Sequence, residues 1–93
     1  MNDYAYNYAI EKAKERIAIL YSDFWLWSKA NGYEIALGDM KKAWVKFQDD
    51  ELMERYKSLF TGSYEREIKK EFNAYCAERI KQEREIIKKE KKL

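Results

Sequence analysis

From Tyr6 to Trp27 the residues Tyr6, Ile10, Ala13, Ile17, Leu20, Phe24 and Trp27 follow one another at spacings of 4, 3, 4, 3, 4 and 3. A helix gathers such a series on one side, whereas a strand would scatter it over both faces. The pattern runs through three heptads without a change of phase, so one long helix is predicted over roughly 3–31. Ser22-Asp23 offers a cap at which the segment could divide, but the stripe passes straight through it. Asn31-Gly32 then supplies a pair suited to a left-handed C-terminal cap.

The rest of the chain favours the same fold class. It has no proline, and its glycines are Gly32, Gly38 and Gly62. Proline breaks helix interiors and glycine weakens them, so a chain nearly free of both reads as all-α. A charged fraction of 39% suits helices with one apolar stripe and a salt-laced outer face. Ninety-three residues allow one helical domain with a modest core.

The glycines divide the chain into a bundle of about four helices, roughly 3–31, 39–48, 50–60 and 64–91. In the connector GYEIALG, Tyr33, Ile35 and Leu37 alternate with Glu34 and Ala36, which predicts a short extended piece. Asp39 is placed to cap the next helix, which carries Met40, Ala43, Trp44 and Phe47. Phase is lost at Gln48 to Glu51, and the apolar set resumes at Leu52, Met53, Tyr56, Leu59 and Phe60, so Asp49 or Asp50 is expected to cap a fresh helix. The last helix carries Ile68, Phe72, Tyr75, Cys76 and Ile80 on one side and ends in a basic, fraying stretch over 84–93.

Several kinds of chemistry are hard to build from these residues. There is no histidine, which removes Ser-His-Asp and Cys-His machinery and every histidine-bearing metal site. The lone Cys76 cannot form an internal disulfide or a thiolate zinc site, and at core spacing it reads as a small buried hydrophobe. The acidic run Asp49-Asp50-Glu51 lacks a second carboxylate group at matched spacing and is accounted for as a helix cap. No glycine pattern suggests a phosphate loop. The expectation is a non-enzymatic protein without metal or cofactor. With no secretory leader and no long apolar run, it is expected in the cytoplasm.

What remains is binding. On a helical wheel, Ile19, Leu26 and Ala30 fall opposite the stripe of the first helix, and Trp25 lies at its edge. A helix that is apolar all round wants neighbours all round. Either residues 18–30 form the buried centre of the bundle, or part of this surface meets another chain. Tyr21, Trp25, Leu26, Tyr33 and Trp44 are the candidate partner contacts, because aromatic residues are enriched at interface centres. The stripe is also a candidate seam for a homodimer. In composition the chain is similar to accessory proteins of bacteriophages and mobile elements, which implies an adaptor or inhibitor.

The alternative partner is nucleic acid. Residues 63–93 hold ten Lys and Arg against seven Glu, whereas residues 1–62 hold nine against ten acidic residues. Lys81, Arg84 and Lys88 are candidate phosphate contacts on the last helix, although Glu78, Glu83, Glu85 and Glu90 interrupt the run. The order helix, Gly turn, short helix over DFWLWSKANGYEIALGDMKKAWVKF loosely matches a helix-turn-helix unit, with Lys41, Lys42 and Lys46 facing outward. Its connector is longer than that motif normally uses.

Overall fold

The structure is a computed structural model and describes residues 3–91. Helix α1 (Asp3–Ala30) runs unbroken through Ser22-Asp23. A 3-10 turn (Ile35–Leu37) leads into α2 (Met40–Phe47), a ten-residue 3-10 segment (Glu51–Phe60) follows, and α3 (Glu65–Lys91) completes the chain. Among the described residues there is no strand, and the architecture is the expected small all-α bundle. No helix among them is long and apolar enough to cross a membrane.

Helices α1 and α3 run parallel. Tyr6 meets Tyr64 at 5.5 Å between ring centroids, Tyr21 meets Tyr75 at 5.6 Å, and Trp25 meets Glu83 further on, so both numbers climb together. Parallel neighbours need a return leg, and α2 with the 3-10 segment supplies it. That leg must cover most of the length of α1, about 40 Å at about 1.5 Å per residue, with far fewer residues. A 3-10 helix rises about 2.0 Å per residue and so covers more distance per residue than an α-helix.

The sequence predicts an ordinary helix over 50–60, and the structure differs for a reason visible in the residues. The buried positions there are Met53, Tyr56 and Leu59, spaced by three. A period of three residues per turn stacks them on one ridge, whereas an α-helix would rotate each away from the last. Asp50 begins the segment as expected of a cap, its side chain accepting from Leu52 N at 3.0 Å. Arg16 fastens the far side to α1, donating to the Arg55 carbonyl at 2.7 Å. The Tyr56 hydroxyl donates to Asp23.

Two further expectations are corrected. The connector is not extended, and its residues 35–37 form a 3-10 turn with Ile35 and Ala36 buried and Leu37 exposed. Asp39 does not cap α2 with its side chain. Its carboxylate instead reaches back to accept from Glu34 N at 2.9 Å, which secures the preceding turn. The end of α1 follows the sequence closely. Gly32 sits at φ 81°, Gly32 N donates to Lys29 O, and Tyr33 N donates to Ser28 O. This is the paired bonding of a Schellman cap, and the accompanying apolar contact is Tyr33 stacked on Trp27.

The heptad stripe is consumed inside the chain. Ile10, Ala13, Ile17, Leu20 and Phe24 are buried against Ala43, Phe47, Met53, Tyr56, Leu59, Ile68, Phe72 and Cys76. These five positions of the stripe are therefore covered within the chain. Burial pushes the Cys76 thiol up to about 12, and a thiol held protonated is a poor nucleophile.

Candidate protein-docking furrow

The three tryptophans have different surroundings. Trp27 packs on Phe47, and its indole N–H donates to Asp50 at 2.9 Å, so one carboxylate closes both the Trp27 corner and the 3-10 segment. Trp25 lies half-buried in the cleft between α1 and α3, with its N–H on the Glu83 carboxylate at 3.1 Å. Trp44 leans on Phe24, Phe47 and Phe72, the last at 4.8 Å between centroids. Among the described residues, its N–H donates to no protein acceptor, and it is not sealed from solvent.

Trp44 forms the floor of a depression of about 600 Å³ between the return leg and α3, completed by Met53, Phe60 and Phe72. A second hollow of about 420 Å³ shares Trp44, Phe72 and Asn73 with the first and continues past Met40 and Ile80. A third of about 380 Å³ shares Gly38 and Arg84 with the second and reaches Ile87 and Lys88. Joined through these shared walls, the three make one furrow along α3.

The charge lining this furrow is of one sign. Lys57 and Lys69 border the first hollow, Lys41 and Arg84 the second, and Lys88 the third, with no carboxylate in any of the three walls. Lys57 is paired with Glu54 at 2.5 Å, and Arg84 donates through Nε to the Ala36 carbonyl at 2.7 Å, pinning the connector to α3. Lys41, Lys69 and Lys88 take part in none of the ion pairs among the described residues, which join Lys14–Glu11, Lys29–Glu34 and Lys57–Glu54.

Helix geometry explains the segregation. At about 100° per residue, Arg66, Lys69, Lys70, Lys81, Arg84 and Lys88 fall on roughly one third of the circumference of α3, together with Asn73 and Ala77. Glu67, Glu71, Glu78 and Glu85 project from another arc, and Glu83 turns to Trp25. The glutamates that interrupt the basic run in sequence therefore do not interrupt it along the furrow.

The expected contact residues do not form one surface. Trp44 lies in the furrow, whereas Trp25 belongs to the cleft on the other side of α3, lined also by Ala18, Ser22 and Ile86. Leu26 is 58% exposed on the outer face of α1, one heptad from the equally open Ile19. Tyr33 is half-buried against Trp27. Tyr21 is 4% exposed and packs into the core at the base of the Trp25 cleft; burial, with Glu83 nearby, pushes its hydroxyl up to about 12.

The candidate nucleic-acid contacts are also redistributed. Lys41, Arg84 and Lys88 come together at the furrow, whereas Lys42 and Lys46 are exposed on another side of α2 and Lys81 flanks Lys88 on the arc. Sequence reasoning overlooked Met53, Phe60, Phe72, Lys69 and Asn73, which the furrow draws from two separate elements. Comparison of the chain with protein-family profiles, curated proteins and solved structures gives no match, so the geometry alone carries the functional reading.

Proposed function

We propose that the protein is a non-enzymatic binding module, an adaptor or inhibitor that docks an apolar segment of a partner protein into the furrow between its return leg and α3. The observation that carries this reading is the open aromatic floor. Trp44 and Phe60 remain partly exposed over a hollow of about 600 Å³, in a chain whose other two indoles are tied to carboxylates. Aromatic rings in a concave site are where protein contacts concentrate their energy. On this reading the protein acts in the cytoplasm, where the thiol of Cys76 stays reduced. The phage-accessory role suggested by composition is one setting for such a module.

Photo-crosslinking tests the reading. With a benzophenone amino acid at Asn73, exposed on the furrow wall, a discrete protein is expected to be captured in cells of the source organism; the same group at Glu78, on another arc, should not capture it. The purified partner should then lose affinity with Trp44→Ala and keep it with Leu26→Ala. Equal capture from both positions, or indifference to Trp44→Ala, would refute the reading.

The nucleic-acid reading draws on the cationic arc of α3. It predicts a duplex mobility shift that fades steeply with salt and is lost on Lys41/Lys42/Lys46→Glu. Lys42 and Lys46 lie four residues apart on one face of α2, with Lys41 turned toward the furrow.

A further inference from the structure

The chemistry of the furrow narrows the kind of segment it accepts. Its floor is apolar along its length, with Trp44 and Phe72 followed by Ile80 and Ile87. Leu37, 60% exposed, stands in the wall of the third hollow. The charged groups of the walls are cationic, and the arc of α3 beside them adds Arg66, Lys70 and Lys81. From Lys69 to Lys88 the furrow follows about 28 Å of helix at about 1.5 Å per residue. We propose that it receives an amphipathic helix of a partner protein whose apolar side enters the furrow and whose flanks are acidic. This inference rests on the protein-docking reading and adds to it the shape and charge of the segment.

A helix suits the site better than an extended peptide. The bordering backbones are helical along the furrow, and helical amides already bond within their own segment, so no open strand edge is offered for pairing. A nucleic acid would leave the apolar floor unused. Phe60 meets Phe72 edge-on at 75° and Trp44 is tilted 37° to it, so the rings interlock and do not present a row of parallel faces for bases. Acidic flanks make the charge complementary along the whole length and speed encounter.

The test uses the full chain and three synthetic helical peptides of about twenty residues. All three carry leucines at the same helical spacing, with Glu, Gln or Lys at the remaining outer positions. A single-stranded and a duplex oligonucleotide complete the set. The readout is the indole N–H resonance of each of Trp25, Trp27 and Trp44. The acidic peptide is expected to move the Trp44 resonance most, to bind roughly tenfold or more tightly than the lysine peptide at low salt, and to weaken by a similar factor with Lys41→Glu/Lys69→Glu/Lys88→Glu. Those three side chains are exposed, and circular dichroism would verify that the variant keeps its helices. If all three peptides bind alike and move Trp44, the acidic requirement is wrong while protein docking stands. If no peptide moves Trp44, or an oligonucleotide moves it and outcompetes the acidic peptide, both fall.

Discussion

Trp27 and Trp44 both lean on Phe47, one from α1 and one from α2, yet they lie in unlike parts of the molecule. The Trp27 side is closed: Asp50 accepts the indole N–H, Tyr33 covers the ring, and the Schellman turn holds Tyr33 in place. The Trp44 side is open, with an apolar floor, cationic walls and no carboxylate to take the N–H. The difference is one acidic residue. Where Asp50 arrives, a ring and the start of the 3-10 segment are fixed together, and where no carboxylate arrives, the indole N–H stays open to solvent.

The largest effect should come from the residue common to both sides. Phe47→Ala empties the position on which both indoles rest, and about 3–5 kcal/mol of stability should be lost, read as a fall in the urea midpoint. A loss below about 1 kcal/mol would mean that the two sides share no core. Next in size is Asp50→Ala, which removes a helix cap and a charged hydrogen bond, for a loss of about 2–3 kcal/mol. Gln48→Ala, exposed in the wall beside Trp44, should stay within about 0.5 kcal/mol of the parent. Equal costs for these two would erase the distinction between a closed and an open side.

Alkaline titration sharpens the comparison further. Burial, reinforced by the hydrogen bond to Asp23, pushes the Tyr56 hydroxyl up to about 12 from 10.0, and burial raises Tyr21 to about 12. A protonated form favoured in the folded state contributes fully below the unfolded value and loses its contribution as pH rises toward the folded one. Stability should therefore decline from about pH 10 to about pH 12 through these tyrosines, with the Cys76 thiol starting the decline near 9.0. Tyr56→Phe should flatten the tyrosine part of that slope, measured by urea unfolding at several pH values; an unchanged slope would remove Tyr56 from the account. A change of opposite sign is expected at Ser28, fully buried near the end of α1 with no partner for its hydroxyl. Ser28→Ala should stabilise the protein by about 1 kcal/mol, seen as a higher Tm, and a lower Tm would reveal that the hydroxyl is satisfied.

Much of the fold was legible in the residues. The heptad spacing through Phe24 and Trp27, the Asn31-Gly32 reversal and the Asp50 cap each depend on neighbours in sequence, and the structure places them as local rules require. The 3-10 segment was legible too, had the three-residue spacing of Met53, Tyr56 and Leu59 been weighed against the α-helical one. The furrow was not, because it exists only where α2 and the 3-10 segment face α3 across a long sequence separation. Its charge was hidden for another reason. Along the chain Glu78, Glu83 and Glu85 dilute Lys81 and Arg84, whereas around the helix they point elsewhere. Nothing local distinguishes Trp27, which finds Asp50, from Trp44, which finds no acceptor.

The parallel course of α1 and α3 gives the molecule an electrical direction. Peptide dipoles of two long helices add instead of cancelling, so the end near Tyr6 and Tyr64 is relatively positive and the end near Ala30 relatively negative. Lys29 and Lys88 stand at that negative end and soften it. Two helix N-termini at one end and two C-termini at the other therefore sort charge along the length of the molecule, favouring anions at the first and cations at the second.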